Sequence, residues 1–344
     1  MKFLDLFAGV GGIRLGMEQA GHECIGWVEL DKFARKSYLA IHNPDGEFTE
    51  KDINDVKAEL LPNADCWCFG FPCQDISVAG KQGGFTSGKR SSLFFKVMGL
   101  IRELKEEDKP SYLFIENVKN LLSINKGWDF AKLLIEMDEI GYDVEWDVLD
   151  SAEVVPQHRE RIFIVGHLRG RSTRKVFPII RKNGETNKTI KEVARIYPNR
   201  HSSDANSVID PSGISHTVTA HSYKDSPKVV VREATKIGYD VAKVGDSINF
   251  SQPNSKTRRG RVGHNVANTL TTGIEQATLT DDLKIRKLTP LETWRLQGFP
   301  DWSFTRAKQA GLSDSQLYKQ AGNSVTVPVI KVIADRMEFS SENN

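Results

Sequence analysis

The opening stretch MKFLDLFAGVGG, residues 1–12, constrains the chain most: an apolar run ends in a glycine turn and passes straight into a helical pattern. That is the first βα step of a layered α/β sheet. The helical pattern continues to Ala20, CIGWVEL reads as a second strand, and Lys32 to Ile41 as a second helix. Later runs, CWCFGF, YLFIENV and RIFIVG, are short, rich in β-branched or aromatic residues and bounded by turn residues, as strands buried on both faces should be. Between them, Leu93 to Lys105 and Asp129 to Ile140 have helical spacing, the second stopping at Gly141 as a C-cap glycine would. The expected architecture is a doubly wound α/β sheet with its ligand site at the carboxyl ends of the strands. Asp5 and the glycines interrupt the apolar run a signal peptide needs, and no later run is long enough to span a bilayer, so no membrane partner is expected.

From about Ser172 the texture changes to Ser, Thr, Asn, Lys and Arg, with short β-like runs such as PKVVVR. A second, smaller, irregular β-containing domain is expected over 172–305, with 1–171 and 306–344 forming the first. The net charge of +2 hides an asymmetry. Ser172 to Lys284 carries 18 Lys and Arg against 11 Asp and Glu, an excess of seven, while the rest of the chain is five short. Cations concentrated in one region are what phosphate contacts require, and a basic solvated surface is the plainer reading. The four cysteines, Cys24, Cys66, Cys68 and Cys73, are too few and too clustered for a disulfide framework, which suits a reducing compartment. Cys66 and Cys68 lack CxxC spacing and no finger-type His pair follows, so no metal is expected.

Several residues carry possible chemistry. The turn Phe7 to Gly12 lets backbone amides and a helix N-terminus approach a ligand, and Glu29 stands 20 residues after Gly9, where an acid commonly meets a ribose. Arg14 occupies the third glycine place of the dinucleotide fingerprint, which disfavours a pyrophosphate and suits a simpler nucleoside. Cys73 follows a strand and a proline and precedes polar Gln74, Asp75 and Ser77, the setting of a reactive thiol, whereas Cys66 and Cys68 read as inert core. Gly83 to Arg90 mimics a phosphate-binding loop but follows no strand and ends in Arg90 where Ser or Thr should stand. Glu116 ends the strand YLFIENV and places a carboxyl group at the same sheet edge. Arg159 and Arg161, two apart, share a face if extended.

The blocks FAGVGG, Glu29, Asp52-Ile53, GFPCQ, ENV, QHRERIF, RKLTPLETWRLQGFP and AGNSV, in this order, closely resemble the cytosine-5 DNA methyltransferases. The likeness covers about 1–170 and 284–335. It implies a Rossmann-like S-adenosylmethionine-dependent methyltransferase sheet, acting on duplex DNA at a specific short site as a monomer, in a cytoplasmic setting that is nucleoid-associated if the source is bacterial. Phe7, Gly9, Gly12, Gly70, Pro72 and Leu93 would line the S-adenosylmethionine pocket. Glu29, with Leu30 beside it, would bind the ribose, Asp52 and Ile53 the adenine, and Asn323, Ser324 and Val325 would complete the wall. Cys73 would be the nucleophile, Glu116 would contact ring nitrogen 3 of a flipped cytosine, and Arg161, helped by Arg159, would hold the base. Gln74, Ser77, Arg258, Arg259, Arg261 and the pair Thr269-Leu270 would meet DNA, the basic region matching the family's variable target-recognition region.

Two other readings share parts of this pattern. A tRNA cytosine-5 methyltransferase would use the same core, but the sizeable 172–285 region argues for DNA. A catalytically silent DNA-binding protein would not need Cys73, Glu116 and Arg161 together.

Overall fold

The computed structural model describes residues 1–71, 92–179, 229–252, 255, 257–273, 275–280 and 285–338. Seven strands form the main sheet: β1 (Lys2–Leu6), β2 (Glu23–Val28), β3 (Phe48–Glu50), β4 (Cys66–Phe69), β5 (Tyr112–Val118), β6 (Tyr142–Asp150) and β7 (Glu160–Leu168). Their spatial order is β3-β2-β1-β4-β5-β7-β6; the first five run parallel and β7 runs antiparallel to both its neighbours. The order reverses between β1 and β4, which opens a crevice beyond their carboxyl ends. Helices α1 (Gly12–Gln19), α2 (Lys32–His42), α3 (Ser92–Glu103) and α4 (Trp128–Glu139) match the helical spacings in the sequence to within a residue or two.

Both faces of the sheet are covered. Leu4, Leu6, Trp67, Phe69, Leu113 and Ile115 pack on one side with α3 and α4. Phe3, Cys66, Cys68, Tyr112 and Phe114 pack on the other with α1 and a C-terminal helix, α8 (Val327–Ala334). The C-terminal segment thus returns to the first domain, as its apolar spacing suggests. Contact is close: a methyl group on Gly16 of α1 would stand 2.5 Å from Ile330 Cβ of α8, so glycine is what lets the two helices meet. Three more helices, α5 (Pro290–Leu296), α6 (Asp301–Gln309) and α7 (Asp314–Asn323), pack Trp294, Ala307 and Leu317 against Val10, Leu15 and Ile41. Thr289 and Glu292 form a reciprocal capping box that starts α5.

The middle of the chain holds short antiparallel strands: β8 (Val229–Arg232) with β9 (Tyr239–Ala242), and a sheet of order β11-β10-β12-β13 from β10 (Ser247–Asn249), β11 (Val262–Gly263), β12 (Gln276–Leu279) and β13 (Ile285–Lys287). Its small core is Val231, Ala242, Ile248 and Val262. No helix among the described residues is long and apolar enough to cross a membrane.

One core residue breaks the apolar pattern. Asp5 in β1 is fully buried, and no side chain among the described residues hydrogen-bonds its carboxyl group. Burial pushes its carboxyl well above the usual carboxylate range, and the nearby Arg14 charge offsets this only in part. The folded chain therefore keeps a proton that the unfolded chain releases, and stability falls as pH rises above the ordinary carboxylate range. Asp5→Asn keeps the shape without the titration. It is expected to raise Tm by roughly 3 °C or more at neutral pH, with the gain shrinking on acidification; melting curves with a pH-independent difference would contradict this account.

Candidate active site

A cleft of about 680 Å³ opens at the carboxyl ends of β1, β2, β4 and β5. Its floor begins with the turn after β1. Phe7 leaves the strand at φ 57, a left-handed value that a bulky residue rarely adopts, and Gly9 follows at φ 58. The chain then enters α1, whose N-cap, Gly11, supplies no side-chain hydrogen bond to the first amides. Gly12 is required by its neighbour across the cleft: a methyl group there would lie 2.5 Å from Ser324 Oγ and 2.9 Å from Val325 Cγ2. Arg14, the departure from the dinucleotide pattern, turns away and binds Glu47 through two bonds of 2.7 and 2.8 Å. It holds α1 to the loop before β3 and is not among the residues that line the cleft.

Glu29 directly follows β2 and faces this turn. One oxygen accepts from the Gly9 amide and the other from the Asp31 amide, each at 2.7 Å, which fixes the carboxyl group without a cation. Burial pushes its carboxyl up, and those amides pull it part of the way back. Leu30, 69% exposed, stands at the cleft's mouth. Asp52 turns back on itself, accepting from the backbone and side-chain amides of Asn54 at 2.9 Å, while Ile53 is buried beneath it. Leu93, Gly70, Asn323, Ser324 and Val325 line the same space.

Glu116, near the end of β5, opens onto the far end of the cleft. Its carboxylate pairs with Arg161 Nε at 3.1 Å, both side chains largely covered. Gly70 makes room for it, since a methyl group there would be 3.2 Å from Glu116 Oε2. The next residue, Asn117, is buried and donates to the Phe71 carbonyl at 3.2 Å. It thereby anchors the backbone two residues ahead of Cys73 in the sequence. Pro72, Cys73, Gln74, Ser77 and the Gly83–Arg90 loop lie outside the described residues.

The two arginines of QHRERIF part company. Arg161 reaches Glu116, whereas Arg159 is 3% exposed and donates to the carbonyls of Leu270, Gly322 and Ser324 at 3.1, 3.0 and 2.7 Å. Arg159 stands just before β7 and Arg161 within it. Two residues expected on DNA are also turned inward. Leu270 is 5% exposed and packs with Val10 and Trp294, because the Gln157 amide oxygen and Arg159 hold its backbone against the first domain. Arg261 is buried and donates to the carbonyls of Asn249 and Arg232, tying β11 to its neighbours. Thr269 donates to the His158 carbonyl at 2.7 Å. Arg259 stays exposed, with its Nε on the Ala234 carbonyl, and Arg258 is partly exposed.

Comparison with known proteins decides the family. The profile of the C-5 cytosine-specific DNA methylases matches residues 1–338. The chain belongs to that family. It is an enzyme that methylates carbon 5 of cytosine in DNA. Among its relatives, the type II methyltransferase M.NlaX of Neisseria lactamica is 34% identical over 98% of this chain and 96% of its own length. M.HhaI of Haemophilus parahaemolyticus is 33% identical over 97% and 93%. In fold, a putative DNA modification methyltransferase from an Escherichia coli prophage superposes with a TM-score of 0.61 at 22% identity, covering 97% of each chain.

For this methylase, one wall of the cleft escaped the sequence reading. Gln316, Lys319 and Gln320 line it together with Asn323, and Lys319 reaches across to Asp31 at 2.8 Å. Positions 316, 319, 320 and 323 are one face of α7, so extending AGNSV backwards at helical spacing would have found them. Asn117 was equally legible as the middle of ENV, but only its contact with Phe71 gives it a task.

Proposed function

We propose that the cleft is the S-adenosylmethionine site and that Cys73 attacks carbon 6 of a cytosine rotated out of a duplex. The reading is supported above all by one observation: Glu29 and Glu116 open onto the same cavity. This supports reading one as the acid that binds the ribose and the other as the acid that meets the base. The lining fits the cofactor, with apolar Phe7, Leu93 and buried Ile53, a fixed carboxyl group at Glu29 and a helix start that carries no side-chain cap. When bound, S-adenosylmethionine supplies an electrophilic methyl group to carbon 5.

Carbon 5 of cytosine is too weak a nucleophile unaided. The Cys73 thiolate adds to carbon 6, and the electron pair displaced from the 5,6 bond makes carbon 5 enamine-like. Glu116 holds a proton at ring nitrogen 3, which offsets the charge developing in the ring, and Arg161 orients Glu116. After alkylation, solvent water takes the proton on carbon 5, its electron pair re-forms the 5,6 double bond, and the Cys73 thiolate leaves. Base rotation costs a few kcal/mol of pairing and stacking. We assign that cost to contacts from 172–305, with Arg258, Arg259 and Thr269 among them and Gln74 and Ser77 beside the base, while 1–171 and 306–344 hold the cofactor. Arg159 is assigned to positioning.

Bisulfite sequencing of DNA from cells expressing the protein tests the site-specific part. Methylcytosine confined to one short sequence context is expected; methylation scattered without context, or transfer of labelled methyl to tRNA alone, would overturn it. Glu29→Gln tests the cofactor assignment. Hydrogen bonds to a charged group contribute about 1.5–3 kcal/mol, so S-adenosylhomocysteine affinity should fall roughly 10- to 100-fold by calorimetry. Because burial raises the Glu29 carboxyl, affinity in the wild type should begin to fall on acidification above the ordinary glutamate range, where the acceptor gains a proton. The Gln variant should lack that inflection.

A further inference from the structure

The Arg159 contacts join two parts of the molecule that the proposed function gives to different ligands. Its guanidinium holds Gly322 and Ser324, whose neighbours Asn323 and Val325 line the cleft, and also holds Leu270, which leads into the exposed residues 271–273. Gln157 completes the grip. Its side-chain oxygen accepts from the Leu270 amide at 2.9 Å, and its nitrogen donates to the Leu296 carbonyl at 3.0 Å. The two segments touch without slack: a methyl group on Gly322 would stand 2.2 Å from the Thr271 carbonyl oxygen. Gln297 and Thr326 extend the network, Gln297 donating to the Ala321 carbonyl and Thr326 to the Gln297 side chain.

We propose that Arg159 is a positioning residue that couples cofactor binding to DNA binding, by clamping the cofactor wall 322–325 to the segment 269–272. The inference rests on the proposed function. Its physical basis is a shared position: a ligand that shifts or holds one segment shifts or holds the other through the clamp, so both ligands favour the same arrangement. Coupling of this kind is reciprocal, each ligand tightening the other by the same factor. A planar guanidinium spans three carbonyls from two segments; an ammonium at the same place cannot.

The test uses the full chain and a duplex carrying the sequence context found by bisulfite mapping. S-adenosylhomocysteine is titrated into the protein alone and into the protein saturated with that duplex. In the wild type the duplex is expected to tighten binding about tenfold or more. In Arg159→Lys that ratio is expected to collapse to within about twofold of unity. Gly322→Ala, which keeps every donor but wedges the segments apart, should reduce the ratio too and stands in if Arg159→Lys does not fold. A merely structural role would weaken binding equally with and without DNA and leave the ratio intact, which overturns the coupling. So does a wild-type ratio of one in a protein that methylates DNA. A wild type that transfers no methyl group to DNA overturns instead the function on which the coupling rests.

Discussion

Cys73→Ala is expected to lower methyl transfer to DNA by at least about 10⁴-fold, the scale seen when a covalent nucleophile is removed, while duplex affinity stays within about threefold because rim contacts are untouched. The expectation follows from the substrate more than from the protein. Carbon 5 of an aromatic pyrimidine is too weak a nucleophile for a methylsulfonium until a nucleophile has added beside it, and in the proposed mechanism the remaining groups of the cleft stabilise the charge that this addition creates. Sulfur suits the task because a thiolate is reachable near neutral pH and leaves readily afterwards, whereas a serine hydroxyl does neither. Transfer of tritiated methyl groups and filter binding, run on the same preparation, give both numbers. An oligonucleotide bearing 5-fluorocytosine supplies an independent check, since carbon 5 then has no proton to lose and the adduct should persist through denaturing electrophoresis. Residual activity above about one per cent in the alanine variant, or a failure to trap the fluorinated strand, would remove Cys73 from the mechanism.

Glu116→Gln is expected to slow the single-turnover rate by about 10²- to 10⁴-fold, the range for losing a positioned proton donor, with a much smaller change in KM. Glutamine keeps the volume and can still accept from Arg161 Nε, so the loss isolates the carboxyl group's proton and charge. Arg161→Lys removes the guanidinium that now sits 3.1 Å from that carboxylate. Because the two side chains touch, their effects should be strongly non-additive in a double-mutant cycle. Equal rates for wild type and Glu116→Gln would end the assignment of nitrogen 3 to this acid, and strict additivity would separate Arg161 from it.

The two predictions draw on unequal kinds of information. The Cys73 assignment rests on GFPCQ alone, on its place after a strand and proline and on its polar neighbours, and the residue lies outside the described ones. ENV puts Glu116 near a strand end, but the ion pair to Arg161 and the space left by Gly70 are properties of the fold. Gly12 shows the same division: the glycine turn was visible, while the reason for the glycine, Ser324 Oγ arriving from the other end of the chain, was not.

What the sequence determined by itself was local or carried in ordered blocks. Strands and helices followed from apolar spacing, because a 3.6-residue or two-residue period directs side chains to one face whatever lies opposite. The family followed from motifs whose order survives any change in the loops between them. Only the tertiary structure decided how polar side chains were spent. Arg159 and Arg161 are indistinguishable in QHRERIF, yet one is buried among three carbonyls and the other meets a carboxylate in the cleft. Leu270 and Arg261 looked available to DNA and are committed to packing and to backbone acceptors. A charged or polar side chain takes whichever partners the fold brings within about 3 Å, and those partners lie tens to hundreds of residues away, where no local pattern reaches.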